Sequence, residues 1–101
     1  MTVKLVVLYT LPEDKAGFDE YYLGVHMPLV AEIPGLQRAE TSVFSVALDG
    51  GEHTYHRMAE LYFADQAALE AALGTPQSAA TAADFRQIAP PGSRMFIATV
   101  D

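Results

Sequence analysis

The chain has 101 residues, half of them hydrophobic, and a formal net charge of −7. This length and composition predict one packed domain over residues 1–101 rather than a disordered chain. The six lysines and arginines stand singly along the sequence, so no basic patch is available for nucleic acid or for an anionic membrane surface. The absence of cysteine excludes disulfides, thiolate metal ligands and thiol nucleophiles.

The first predicted element is a strand at the amino terminus. Residues Val3 to Thr10 are almost continuously apolar and rich in β-branched side chains, a pattern typical of a strand buried on both faces. The run is too short for a signal peptide or a membrane span, so we expect a cytoplasmic, soluble domain. Glu13 and Asp14 follow, and their charges suit the positive end of a helix dipole.

A long, interrupted helix is predicted over residues 14–33. Pro28 cannot donate a backbone hydrogen bond, and its ring crowds the turn that contains Gly24. We therefore expect the helix to kink or restart near 24–28 and to end at Pro34-Gly35. His26 lies beside the disturbed turn, on a face that is otherwise mostly apolar.

The remaining pattern predicts three strands and two helices. A turn at Asp49–Glu52, whose glycines accept positive φ, joins two of the strands in a hairpin. The predicted strands are 36–48, 54–64 and 94–100, and the predicted helices are 66–73 and 76–88. The order strand, helix, strand, strand, helix, strand indicates an α+β, ferredoxin-like βαββαβ fold with a four-stranded antiparallel sheet.

In the predicted fold, helices cover one face of the sheet and leave the other face open. In the third strand, Leu61 and Phe63 alternate with His56, Glu60 and Tyr62, which places the first pair against the helices and the other three on the opposite face. Apolar side chains nevertheless occur on both faces of several strands. Because an open apolar face usually marks an interface, we expect a homodimer whose two sheets close a barrel around a cavity.

One segment resembles a known family. It reads Phe18-x-x-Tyr21-Tyr22-x-x-x-His26-x-Pro28-Leu29, followed by Ile33-Pro34-Gly35-Leu36. This motif is similar to that of the EthD family, within the dimeric α+β barrel superfamily. The resemblance implies a homodimer with a pocket between each sheet and its helices or inside the barrel. It also implies a link to ethyl tert-butyl ether degradation, where the family's biochemical role is poorly defined. The superfamily includes cofactor-independent monooxygenases, isomerases, cyclases and haem-dependent peroxidases, so the fold does not settle the chemistry.

His26 is the first candidate for a catalytic residue, with Tyr22 assisting it from one helical turn earlier. An imidazole suits proton transfer near neutral pH; the structural alternative is a core histidine bonded to a carbonyl that Pro28 leaves free. Tyr22, likewise, is either an assisting hydroxyl or a packing side chain. The residues predicted to contact a small hydrophobic ligand are Tyr9, Phe18, Tyr21, Val25, Leu29 and Tyr62.

The other two histidines could suggest a metal site, but their spacing in the sequence argues against one. His53 and His56 are three residues apart, so on a strand they face opposite sides, and no third ligand is near. We expect neither a metal nor a cofactor. His56 and Glu60 on one face could instead orient a base or make polar contacts across the dimer interface.

Three functions therefore remain open. The chain is a cofactor-free enzyme acting on a small hydrophobic or aromatic molecule, a carrier of such a molecule, or an accessory partner of an oxygenase system.

Overall fold

The fold is a four-stranded antiparallel sheet in the order β2-β3-β1-β4, with helices on one face. The computed structural model describes all 101 residues. The elements are β1 Val3–Thr10, α1 Lys15–Tyr21, a π-helical turn Tyr22–His26, α2 Met27–Ala31, β2 Arg38–Val43, β3 Tyr55–Phe63, α3 Gln66–Leu73, α4 Pro76–Ile88 and β4 Arg94–Thr99. This architecture confirms the predicted ferredoxin-like α+β fold. None of the helices has the length and hydrophobicity needed to cross a membrane.

The helices begin where the sequence places capping residues. The Asp65 carboxylate accepts the backbone N–H of Ala68 at 2.8 Å at the start of α3. The Thr75 hydroxyl accepts the backbone N–H of Ser78 at 3.2 Å at the start of α4. These side chains satisfy amide groups that have no partner within their own helix, and both predicted helices have the expected bounds.

The predicted helix over 14–33 forms from Lys15 to Ala31 with one wide turn in the middle. In that turn the Met27 N–H donates to the carbonyl of Tyr22, five residues earlier, which defines a π turn. The turn lies directly before Pro28, whose ring clashes with the carbonyl four residues earlier in a regular α-helix. The predicted interruption near 24–28 is therefore present as a π turn, after which the helix restarts and ends at Ala31. The chain then turns at Gly35, with φ +84°.

The predicted strand over 36–48 is too long, because β2 ends at Val43. Phe44 still donates its N–H to the carbonyl of His56 at 2.9 Å, but the chain then leaves the sheet. No layer covers the next apolar side chains, and Leu48 is fully exposed. The alternation that resembles a strand therefore has nothing to pack against, and Gly50, at φ +79°, turns within a longer connection rather than a tight hairpin.

Two apolar clusters fill the space between the sheet and the helices. The larger consists of Val3, Val30, Ile33, Leu61, Phe63, Leu69 and Ala72. The smaller consists of Val7, Tyr9, Tyr22 and Ala59. Leu61 and Phe63 thus face the helices as predicted, and the smaller cluster packs Tyr9 of β1 against Tyr22, the first residue of the π turn.

An irregularity in the pairing of β1 with β3 changes which way His56 points. Tyr9 pairs with Arg57, but Thr10 pairs with Tyr55, so His56 is an extra residue in β3. A bulge of this kind breaks the alternation of side chains. His56 therefore lies on the helix side together with Arg57, and the prediction that it shares a face with Glu60 and Tyr62 is wrong.

Candidate functional site

The candidate site is an apolar cavity between the helix-facing side of the sheet and the helices above it. Eighteen residues line it, fifteen of them hydrophobic, and none is a lysine, arginine, aspartate or glutamate. Its volume is about 90 Å³, counted as the space open to the centre of a water-sized sphere. One water molecule needs only about 10–15 Å³ by that measure, so the cavity has room for a compact organic molecule.

Aromatic rings on successive turns of the interrupted helix form one side of the site. The ring of Tyr22 stacks on Phe18, with centroids 5.9 Å apart, and on His26, with centroids 5.6 Å apart. Tyr9, from β1, packs against Tyr22 in a T-shaped arrangement, with ring centroids 5.3 Å apart. Residues four apart on a helix lie on the same face, so the sequence spacing produces this stack directly.

His26 is held between two side chains from other elements. Its Nδ1 lies 2.8 Å from Oδ2 of Asp84, and its Nε2 lies 3.3 Å from the hydroxyl of Tyr9. All three residues are buried, with exposed fractions of 3% for His26, 8% for Asp84 and 1% for Tyr9. They form a continuous hydrogen-bonded chain at the wall of the cavity.

The chain of hydrogen bonds defines which nitrogen of His26 carries the proton. An ionised carboxylate only accepts hydrogen bonds, so Nδ1 carries the hydrogen that it donates to Asp84. Burial raises the pKa of the Tyr9 hydroxyl far above its ordinary value, so that hydroxyl stays protonated and donates to Nε2. The Nε2 lone pair therefore points toward the hydroxyl of Tyr9, which also lines the cavity, and Asp84 would stabilise a positive charge on the imidazole.

Sequence reasoning missed Asp84, although a signal for it exists. It is the only acidic residue between Ala71 and Val100, and it lies in α4 three residues after Thr81, which is also buried. An acidic side chain on the inward face of a helix needs a partner. That reasoning could have linked Asp84 to the one imidazole predicted in the core.

Tyr21 contacts the other oxygen of the same carboxylate. Its hydroxyl donates to Oδ1 of Asp84 at 2.6 Å, and this hydrogen bond raises the pKa of Tyr21. Its side chain is not part of the cavity lining and is 37% exposed. The structure thus places Tyr21 behind Asp84 rather than against a ligand.

The hydroxyl of Tyr22 is the one buried side-chain polar atom without a hydrogen-bond partner. Burial raises the pKa of Tyr22 to about 12, although the Arg57 guanidinium acts in the opposite direction, both through its charge and as a hydrogen-bond donor near the hydroxyl. That guanidinium lies 4.7 Å from the centre of the Tyr22 ring. Tyr22 lines the cavity and stacks on His26, but it does not hydrogen-bond to the imidazole.

A second polar cluster, also missed from the sequence, lies beside Tyr22. Oδ1 of Asp19 lies 2.8 Å from Nε2 of His56 and accepts from Nε of Arg57 at 2.9 Å. Burial acts to raise the pKa of Asp19, but the hydrogen bonds from His56 and Arg57 outweigh it and hold the pKa below its usual value. The bulge in β3 turns His56 toward Asp19, whereas Arg57 reaches it from its regular place in the strand, and the two contacts connect α1 to the sheet.

The cavity brings together Tyr9, Tyr22 and His26 from the predicted site and leaves out the other five residues. Phe18 packs behind Tyr9 and Tyr22. Tyr21 lies outside, as described. Val25 is exposed and Leu29 is half-buried, and neither lines the cavity.

Tyr62 lies on the opposite face of the sheet. Its hydroxyl donates to Glu60 at 2.7 Å and is 3.1 Å from Glu40. The hydrogen bond to Glu60 is the main cause that raises the pKa of Tyr62 to about 12. The guanidinium of Arg38 stacks 3.9 Å from the centre of its ring, so Tyr62 belongs to a polar network on the open face. No group of three histidine, aspartate or glutamate side chains is arranged to hold a metal ion.

Comparison with known proteins identifies the family. The model of the EthD domain matches residues 11–90. The chain belongs to the EthD family. It is 34% identical over 93 residues to an uncharacterized 11.0 kDa protein from the thcB–thcC intergenic region of Rhodococcus erythropolis, an alignment that covers 92% of this chain and 89% of that one.

Solved structures extend the EthD assignment to the fold. The crystal structure of an EthD family protein from Bacillus halodurans C-125 is 34% identical, covers both chains completely and superimposes with a TM-score of 0.93. SnoaB, a cofactor-independent oxygenase from Streptomyces nogalater, is 20% identical over 98% of this chain and 92% of its own, with a TM-score of 0.67. The first comparison supports the family, and the second supports the fold alone.

Proposed function

We propose that this EthD family protein binds a small, uncharged, hydrophobic molecule in the cavity and transfers a proton on it without a cofactor. The observation that carries this proposal is the chain Asp84–His26–Tyr9, with its 2.8 Å and 3.3 Å contacts, at the wall of an otherwise apolar space. A buried aspartate that fixes the tautomer of a histidine base is a recurring arrangement in enzymes that move protons.

The residues that line the cavity support an uncharged ligand. No lysine, arginine, aspartate or glutamate reaches the cavity, so a charged ligand would be buried without a counter-ion, which is strongly unfavourable. The aromatic walls suit a flat or compact apolar body. Ethyl tert-butyl ether, to which the family name refers, is an uncharged molecule of this size class, although proton removal requires a ligand with a more acidic C–H bond.

The positions of the two imidazole nitrogens of His26 support the following proton transfer. The ligand's C–H bond breaks, its proton goes to Nε2 of His26, and its electron pair stays on the ligand as an enolate. Asp84 stabilises the resulting imidazolium through Nδ1–H. At 3.3 Å, the contact from Tyr9 to Nε2 lies at the long end of hydrogen bonds, so Tyr9 can donate to a ligand oxygen instead. Return of the proton to the same or another carbon completes an exchange or an isomerisation.

We also propose a homodimer formed through the open face of the sheet. Phe96 is 40% exposed on that face, beside its pairing partner Val6 in β1, and Leu8 and Met58 add half-buried apolar area. An apolar patch of this kind on a small domain usually marks an interface. Native mass spectrometry tests it: a dimer is expected, and a monomer at micromolar concentration would contradict it.

The proton-transfer proposal is tested by hydrogen–deuterium exchange on an uncharged aromatic ketone. Acetophenone carries acidic C–H bonds next to its carbonyl, and NMR in D₂O follows loss of its methyl signal. We expect the protein to accelerate this exchange and His26→Gln to lower the rate at least about 100-fold, a typical contribution of a general base. His53→Gln is the matched control, because His53 contacts the carbonyl of Tyr55 outside the cavity.

The outcomes separate the enzyme from the carrier. Exchange that depends on His26 and not on His53 supports proton transfer. Acetophenone that binds in the cavity without any accelerated exchange would contradict it and favour a carrier. Exchange that is equally fast in His26→Gln would place the chemistry elsewhere.

A further inference from the structure

The π turn has a geometric consequence for two residues that flank it. Tyr21 and His26 are five residues apart, which on a regular α-helix separates their directions by about 140°. A turn closed by a bond across five residues instead brings such residues close to the same side. The structure shows the result: both side chains reach α4, where Tyr21 contacts Oδ1 of Asp84 at 2.6 Å and His26 contacts Oδ2 at 2.8 Å.

The two contacts differ in their exposure to water. His26 is buried at the cavity, whereas Tyr21 is 37% exposed and does not line it. Tyr21 therefore lies on the solvent side of the carboxylate and occupies the oxygen that His26 leaves free. Without that hydroxyl, Oδ1 would need a water molecule, and the carboxylate would be freer to rotate away from Nδ1. Side chains that hydrogen-bond to the outer oxygen of such a carboxylate commonly fix the orientation of a histidine–carboxylate pair.

We propose that Tyr21 is a positioning residue for His26. By donating to Oδ1, it holds Oδ2 of Asp84 on Nδ1–H and so keeps the Nε2 lone pair available on the cavity side. Tyr21 acts through Asp84 and touches no ligand. Its catalytic value rests on the proton transfer proposed above, but its effect on the tautomer of His26 exists without a ligand.

The test is ¹⁵N NMR of the histidine side chains in the ligand-free protein. In the wild type we expect His26 in the Nδ1–H tautomer, with a slowly exchanging Nδ1 proton. In Tyr21→Phe we expect that proton to exchange with water at least about tenfold faster and the Nε2–H tautomer to become detectable. His53 and His56 are internal references, since neither contacts Asp84. Tyr55→Phe is the matched control, because the structure gives the Tyr55 hydroxyl no hydrogen bond to lose.

The possible outcomes lead to different conclusions. An unchanged His26 spectrum in Tyr21→Phe would overturn the positioning role and leave the proton-transfer proposal intact. Wild-type protein with His26 already in the Nε2–H tautomer would contradict both. A faster-exchanging Nδ1 proton in Tyr21→Phe, with His53 and His56 unchanged, supports the positioning role even if no substrate turns over.

Discussion

The unpartnered hydroxyl of Tyr22 predicts a substitution that stabilises the protein. Tyr22 has an exposed fraction of 0%, and its hydroxyl has no hydrogen-bond partner. A buried polar group without a partner costs about 1–3 kcal/mol. Tyr22→Phe removes that group and keeps the ring, so the stacking on Phe18 and His26 and the contact with Arg57 persist. We expect the free energy of unfolding to rise by up to about 1 kcal/mol, because the favourable interaction of the hydroxyl with the Arg57 guanidinium is lost together with its desolvation cost.

Urea denaturation followed by circular dichroism measures this change. The midpoint should move to higher urea at an unchanged slope, which identifies a change in stability rather than in the surface exposed on unfolding. For a domain of this size each kcal/mol raises the Tm by about 4–8 °C. All variants are compared at one protein concentration, because the proposed dimer would couple stability to concentration.

Tyr9→Phe is the matched control for this prediction. Tyr9 is as deeply buried as Tyr22, but its hydroxyl lies 3.3 Å from Nε2 of His26. The same loss of one oxygen atom should therefore lower the free energy of unfolding by about 0.5–1.5 kcal/mol. The reasoning would be refuted if Tyr22→Phe destabilised the protein as much as Tyr9→Phe does, since the Tyr22 hydroxyl would then have a stabilising partner.

Three further predictions concern the pH dependence of stability and the π turn. The pKa values of Tyr22 and Tyr62 are raised to about 12, so the folded protein keeps both hydroxyls protonated where unfolded tyrosine, with a pKa of about 10, ionises. Stability therefore falls as pH rises from about 10 to 12, and Tyr62→Phe should flatten this alkaline decline in a urea series. The pKa of Asp19 is lowered, so the stability that its carboxylate contributes is present above the unfolded pKa of about 4 and is lost as pH falls through the folded pKa. Asp19→Asn should flatten this acid decline in stability. A Cβ on Gly24 meets no atom within 4 Å, so Gly24→Ala should fold normally and gain up to about 1 kcal/mol, and a loss of stability would show that the π turn requires glycine.

Elements with local signals could be predicted from the sequence. β1 and the helices after Asp65 and Thr75 have the expected bounds, because a continuous apolar run and side-chain caps act within a few residues of the chain. The length of β2 could not be predicted, since the apolar residues after Val43 alternate as in a strand but have no covering layer. The bulge at His56 could not be predicted either, because it depends on how β3 pairs with β1.

The same distinction applies to the site. Tyr22 and His26 could be paired from their spacing on one helix, and the structure places both at the cavity. The two contacts that reveal most about the site join residues far apart in the sequence. Asp84 is 58 residues from His26, and Asp19 is 37 residues from His56. Spacing in the sequence carries no information on contacts at such distances; only the inward position of an acidic residue in α4 hinted at a partner for Asp84, and the folded structure shows which side chains pair.

The most direct test of a ligand-binding cavity uses the four methionines. Met27 and Met95 line the cavity, whereas Met58 does not, and Met1 is 77% exposed at the amino terminus. Protein labelled with ¹³C at the methionine methyl groups is titrated with acetophenone and followed by NMR. We predict saturable shifts of the Met27 and Met95 signals, with Met1 and Met58 unchanged. Absence of any shift at millimolar acetophenone, or shifts of Met58 as large as those of Met27, would contradict binding in this cavity.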